Sequence, residues 1–248
     1  DQRLSRGLGD VYKRQRCVCS TRRGTVFTPV VAINSDGLMH SRPDITMQWR
    51  QAPVTISILA ISTVVFALMS LFGDAIILDW LAFNKVEFNG RRFELVSPGS
   101  EYWRYVTPAL IHFGLIHILF NGLWIWEFGS RLELRLGSIF TLNLFLAGSI
   151  GGNLLQGWWS GPSIFGGLSG VVYAYMGCLW VMWRLRPGLV PIDVPAVFIF
   201  MWIWLFIGFT GILKTLGLGS IANGAHLGGL LVGIVTGFII TRLFPKQG

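Results

Sequence analysis

Two glycine-rich segments hold the residues of this 248-residue chain best suited to chemistry. Ser169 lies in Gly167-Leu168-Ser169-Gly170, and His226 lies in Gly224-Ala225-His226-Leu227-Gly228-Gly229. Glycines around a serine let another chain approach its hydroxyl closely. If Ser169 opens a helix, the free N–H groups and the positive dipole end of that first turn surround it. A serine there can attack a carbonyl while those N–H groups receive the developing oxyanion. It needs a base, and histidine is the usual one.

Helical spacing brings the two segments into register. His226, Gly229, Gly233 and Gly237 share one helical face, as do Ser169, Tyr173 and Gly177. Small residues on both faces let helix backbones approach closely. If the faces meet, His226 lands near Ser169 as base beside nucleophile, and Tyr173 braces the imidazole one turn below. His117 and Asn121 are four residues apart, so they project together and can donate hydrogen bonds to an oxyanion. Taken singly, each residue has an ordinary reading: a serine that bonds backbone, or a histidine satisfied within a core. The combination is what points to acyl transfer.

The elements that must position these residues are membrane helices. Hydrophobic residues make up 52% of the chain and charged residues 13%, about half the share in a soluble domain. A disordered chain, a disulfide scaffold and an ordinary soluble enzyme are excluded. The three cysteines, Cys17, Cys19 and Cys178, form no disulfide or zinc framework. The net charge of +8 does not form a basic stripe with interleaved aromatics, so no nucleic acid is expected as a partner. We expect an all-α polytopic fold with six spans: residues 54–72, 105–126, two within the uncharged stretch 136–183 that turn at 157–167, then 194–213 and 225–241. Arg50, Arg131, Arg135, Arg184, Arg186, Arg242 and Lys246 fall on one side of these spans, which predicts both termini in the cytoplasm.

A depth comparison supports the grouping. His117, Ser169 and His226 precede the first following cation by 14, 15 and 16 residues, taking Arg131, Arg184 and Arg242 as references. At the helical rise these are heights of about 21, 22 and 24 Å. In a core of about 30 Å, all three lie below the outer boundary, so water must reach them from the outer side.

The first connection, about residues 73–104, is long and rich in aromatics (Trp80, Phe83, Phe88, Phe93, Tyr102, Trp103). Its apolar content predicts that it packs on the protein or lies in the membrane interface. Residues 1–50 have no sustained period and are expected to be an N-terminal segment that is either a disordered basic cytoplasmic tail or in part a sequence artefact. Asp10-Val11-Tyr12-Lys13-Arg14-Gln15 reads as the translation of a transposon end used in sequencing libraries. On that reading the natural start is Met39 or Met47, and residues 51–248 form the functional domain.

Several segments taken together resemble the rhomboid intramembrane serine proteases in their six-span bacterial form. They are Trp103-Arg104-Tyr105, the run from His112 to Asn121, Glu133-Leu134-Arg135-Leu136-Gly137, Ser160-Gly161-Pro162, the run from Gly166 to Ala174, and Ala222-Asn223-Gly224-Ala225-His226. The resemblance covers the chain from about Arg50 to Thr241. It implies that Ser169 is the nucleophile and His226 the general base, with no acidic third member. His117, Asn121 and the Ser169 N–H are the implied oxyanion donors. Tyr173 is implied to stack on the imidazole, Gly167 to line the site, and His112 to hold the first loop nearby. Glu133 and Arg135 match a structural polar network. The fifth span and residues 211–225 correspond to a gate and lid, with Trp202, Trp204 and Phe206 as gate bulk or as lipid-facing filler.

The function expected from this resemblance is cleavage of single-span membrane proteins within the lipid bilayer, in a bacterial inner membrane. No metal or cofactor is expected. Two other classes remain: a rhomboid-like client binder without activity, and a transporter that relays protons through the histidines. Reactivity of Ser169 separates the first from a protease, and flux that survives Ser169→Ala identifies the second.

Overall fold

Apolar helices dominate the described residues, with a small β-hairpin in the first connection. The computed structural model describes residues 50–186, 189, 196–216 and 220–243. The N-terminal segment, Met39, Met47 and Lys246 lie outside the described residues, as do residues 217–219 of the expected lid.

The first long helix, α1 (Pro53–Phe72), has proline in its opening turn, where the missing N–H leaves no bond unmade. It ends at Gly73, whose φ of +87 favours glycine. The short α2 (Asp74–Leu81) follows, then the hairpin of β1 (Lys85–Phe88) and β2 (Phe93–Val96), paired antiparallel from Lys85–Val96 to Phe88–Phe93. Two 3-10 turns, Tyr102–Tyr105 and Thr107–Leu110, lead into α3 (Leu115–Leu136). Next come α4 (Ser138–Ser160), α5 (Ser169–Leu185), α6 (Ala196–Thr210), the one-turn α7 (Ile212–Thr215) and α8 (Asn223–Leu243). By length and apolar composition, α1, α4 and α8 can each cross a membrane, and α6 is a shorter apolar helix.

The six long helices among the described residues are consistent with the six spans expected, but the second is displaced from residues 105–126 by about ten residues. Pro108 and Gly114 keep the start of that window out of the helix. Its far end runs on through Glu127, Arg131 and Glu133 because these charges have partners. Arg131 pairs with Glu127 one turn away, at 2.5 Å. Buried Glu133 accepts hydrogen bonds from the Val54 and Thr55 N–H groups, each at 2.8 Å, and from the Thr55 and Ser138 hydroxyls. One carboxylate thus satisfies the open N-terminal turn of α1 and reaches the first residue of α4. Arg135 is exposed on the same end of α3. The turn between α4 and α5 is also shorter than expected. Gly157 remains in the helix, and the break comes at Gly161, φ +65.

Helix α5 is the axis of the core, with every residue from Gly170 to Leu179 buried. Helix α8 fits between α4 and α5 because glycines remove side chains along both seams. A Cβ on Gly228 would strike the Gly151 carbonyl, and Cβ atoms on Gly229 and Gly233 would strike the Gly170 and Ala174 carbonyls. Gly177 of α5 also has little room, against Leu230 and Ile234. Aromatic rings line the inner side of α6: Phe200 and Trp204 meet Phe120 and Trp124 of α3, and Trp202 meets Trp180 of α5. Phe206 faces outward.

The first connection packs on the bundle at selected points. The Phe83 ring contacts Tyr105 and Phe165, and Asn84 bonds the Val96 carbonyl and the Ser163 N–H. Arg104, 4% exposed, bonds Glu101 and the carbonyls of Asp79 and Ala82, which closes the C-terminal end of α2. Trp80, Phe88, Phe93 and Tyr102 are exposed.

Candidate active site

Ser169 is the first residue of α5 and is half-buried. The loop before it is held in place by the segment between the 3-10 turns and α3. The Gly167 N–H donates to the Pro108 carbonyl at 3.0 Å. The Leu168 N–H meets His112 Nε2 at 3.4 Å, while His112 Nδ1 lies 3.1 Å from the Leu110 carbonyl. An N–H can only donate and a carbonyl can only accept. His112 is therefore neutral with its proton on Nδ1, and it acts as a strut between the two segments.

Gly167 opens the space beside Ser169. Its φ is +125, a conformation that favours glycine. A Cβ there would stand 2.8 Å from His117 Nε2 and 3.4 Å from Asn121 Nδ2. His117 and Asn121 therefore converge from α3 on one point, two residues before Ser169. Asn121 is buried, and its Nδ2 has no hydrogen-bond partner among the described residues. The His117 ring also stacks near His112, with centroids 5.0 Å apart.

His226 approaches from α8. Its ring lies against Tyr173, one turn along α5 from Ser169, with centroids 4.7 Å apart and planes inclined by 36°. The Tyr173 hydroxyl donates to the Met201 carbonyl of α6 at 3.0 Å, which fixes the phenol ring beneath the imidazole. His226 is 4% exposed and its Nδ1 has no partner among the described residues. No hydrogen bond from the Ser169 hydroxyl to His226 is formed in this arrangement. Such bonds are commonly long without substrate and tighten in the reacting complex. Among the described residues, the ion pairs lie in the first connection or on α3, so the serine and histidine sit in a neutral setting.

All seven residues singled out from the sequence, namely His112, His117, Asn121, Gly167, Ser169, Tyr173 and His226, thus fall in one region at the same end of the bundle. Reasoning from the sequence did not find three supports. Pro108 contributes only a carbonyl, which leaves no side-chain signal. Gln156 Oε1 accepts the Ala225 N–H at 3.1 Å and so caps the first turn of α8. Asn223 Nδ2 donates to the Gly208 carbonyl at 2.9 Å and ties α8 to α6. Gln156 was detectable as a long polar side chain inside an uncharged run, and Asn223 by its position three residues before His226.

Comparison with known proteins agrees with this architecture. The family described as Rhomboid domain matches residues 99–243, more than half of the chain. The chain is 36% identical over 198 residues to a protein of Yersinia pestis (strain Pestoides F) named Rhomboid protease GlpG, covering 79% of this chain and 66% of the relative. It is 37% identical over 193 residues to a protein of the same name from Pectobacterium atrosepticum, covering 78% of this chain and 64% of the relative. The chain thus spans just under two-thirds of the length of these relatives. The family match takes in every helix from α3 to α8 and all of the residues grouped above, and the chain belongs to the rhomboid family.

Proposed function

We propose that this chain is an intramembrane serine protease that cleaves single-span membrane proteins through a Ser169–His226 dyad. The observation that carries the reading is the packing of the His226 ring on Tyr173 at 4.7 Å, one turn from a serine that opens α5. The names of the similar proteins support the same activity.

In this mechanism Ser169 Oγ attacks the carbonyl carbon of the scissile peptide, and His226 takes the hydroxyl proton. The carbonyl oxygen becomes an oxyanion. The Ser169 N–H, Asn121 Nδ2 and His117 receive it. Asn121 Nδ2 suits this role because it is buried and unpartnered, so a developing negative charge supplies the acceptor that it lacks. Collapse breaks the C–N bond, and His226 returns its proton to the leaving amine. Water then attacks the acyl-enzyme with His226 again as base, which releases the acid and restores Ser169. Gly167 keeps the oxyanion space open, Tyr173 supports the imidazole, and His112 holds the loop before Ser169. The enzyme sits in the inner membrane with its termini in the cytoplasm, and the site opens to water from the other side.

A fluorophosphonate probe applied to the protein in detergent tests this reading. Labelling of the parent chain and none of Ser169→Ala is the expected result. Equal labelling of both means that the nucleophile is another residue. A stable fold with no labelling of either means a client binder. His226→Ala should abolish labelling. Single losses of Asn121 or His117 should slow cleavage by about a hundred- to a thousand-fold, as for one oxyanion donor.

A further inference from the structure

Two polar side-chain atoms at the start of α8 are sealed from solvent and lack partners among the described residues: Nδ1 of His226, and Oδ1 of Asn223, which rests against Gly208 of α6. They are three residues apart at the start of α8, a spacing that puts side chains on one face. The far end of the Asn223 amide is already fixed. Its Nδ2 donates to the Gly208 carbonyl of α6, which can only accept. The amide orientation follows, and the atom left over is a carbonyl oxygen that can only accept.

The Tyr173 hydroxyl below the ring and the Gln156 side chain at the start of α8 are engaged elsewhere. The Tyr173 hydroxyl is on the Met201 carbonyl, and Gln156 Oε1 takes the Ala225 N–H. A neutral imidazole carries one N–H, and beside an oxygen that only accepts, that N–H belongs on Nδ1. Joining Asn223 Oδ1 to His226 Nδ1 satisfies both buried atoms at once, which is the usual condition of buried polar groups.

We propose that Asn223 is a positioning residue for His226: its Oδ1 accepts the Nδ1 proton and so holds Nε2 unprotonated toward Ser169. This rests on the reading of Ser169 and His226 as nucleophile and base. The Ser169 proton passes to Nε2, the imidazolium keeps its Nδ1–H on Asn223, and Nε2 gives its proton to the leaving amine. Because the same amide holds the Gly208 carbonyl through Nδ2, Asn223 also links the orientation of the base to α6.

The test uses the full chain in lipid nanodiscs with 15N-labelled histidine. Nitrogen chemical shifts should report Nδ1–H for His226 in the parent. Nε2–H in the parent overturns the proposal without any variant. Asn223→Ala should admit the Nε2–H form and lower the limiting rate of fluorophosphonate labelling by about ten- to a hundred-fold, with the probe's half-saturating concentration unchanged. Asn223→Asp keeps an acceptor but loses the donor to Gly208, so it should retain Nδ1–H and recover most of the rate. An Asp variant as slow as the Ala variant, with the tautomer altered, would mean that only the tie to α6 matters, and the proposal fails. If His226→Ala is inert while Asn223→Ala matches the parent in rate and tautomer, the dyad stands and Asn223 has no such role. Normal labelling of His226→Ala overturns the dyad itself.

Discussion

Gly229 of α8 lies directly against the carbonyl of Gly170 on α5, one residue after Ser169, so that no side chain can stand between the two helices there. His226 is three residues before Gly229 on the same helix, and the depth of that seam sets how near its ring comes to α5. Gly229→Ala should push α8 away from α5. Overpacking of this kind costs about 1–3 kcal/mol, and here the obstacle is backbone rather than a movable side chain. A lower thermal midpoint is expected, together with weak fluorophosphonate labelling of the protein that remains folded. Gly90, at the tip of the β-hairpin with open space around it, is the matching control; its φ of +87 is one that asparagine tolerates better than most side chains, and Gly90→Asn should disturb both readouts far less than Gly229→Ala.

Gly167→Ala separates chemistry from stability. The added methyl group enters the space in front of His117 Nε2 and Asn121 Nδ2, on a backbone whose φ of +125 an alanine rarely adopts. The loop is also pinned by the Gly167 N–H bond to Pro108, so it has little freedom to yield. Labelling and cleavage should fall by at least about a hundred-fold, since the oxyanion space is filled. The thermal midpoint should move far less than in Gly229→Ala. Parent-like cleavage by Gly167→Ala would mean that the oxyanion is received elsewhere.

The sequence exposes the helices and the serine and histidine because both depend on local, periodic signals. Uncharged runs mark the apolar helices, and glycines spaced by helical turns mark the seam of α8. The same signals misplace α3, because an uncharged window measures hydropathy and not helix. Glu127 and Arg131 pair with each other, and Glu133 is satisfied by the start of α1, so the helix continues through charges that a window count treats as its end. The seam on α5 is also wider than the expected face, taking in a second row one residue along. The glycines of α8 contact the row Gly170, Ala174 and Cys178, while Tyr173 and Gly177 of the expected face meet His226, Leu230 and Ile234 beside it. Shared helical faces give a stripe but not the register between two stripes. The roles of Pro108, Gln156 and Asn223 were not legible for a further reason. Each acts across a long stretch of chain on a backbone group, and backbone groups carry no sequence signal.

Glu133→Ala should unfold the bundle from the end remote from the site. It removes one carboxylate and strands the Val54 and Thr55 N–H groups, the Thr55 hydroxyl and the Ser138 hydroxyl. Hydrogen bonds to a charged acceptor contribute about 1.5–3 kcal/mol, and the donors left in a buried setting add to the loss. A clear fall in thermal midpoint is expected, with the labelling rate per folded molecule close to the parent. Glu133→Gln should be intermediate, because its carbonyl oxygen still accepts while its amide opposes a donor. A parent-like midpoint for Glu133→Ala would show that water replaces the carboxylate and that the α1 end is open.

Arg104→Ala should loosen the first connection while leaving the helices intact. Arg104 holds the carbonyls of Asp79 and Ala82 and pairs with Glu101, whose other neighbour is Lys85 at 3.5 Å. Loss of the guanidinium leaves the end of α2 uncapped, and amide exchange should rise across residues 74–104 but not along α5. The pair also gives this connection a dependence on pH. The Arg104 hydrogen bond holds the Glu101 carboxyl below its ordinary range, and the charges of Arg104 and Lys85 add to the effect. A depressed carboxylate supports the folded loop above its unfolded pKa and loses that support as pH falls through the folded value. Exchange over residues 74–104 should therefore increase in acid below the usual carboxylate range. Glu101→Gln, which has no charge to lose there, should remove that acid step. An acid step of full size in Glu101→Gln would assign it to a different carboxylate of the connection.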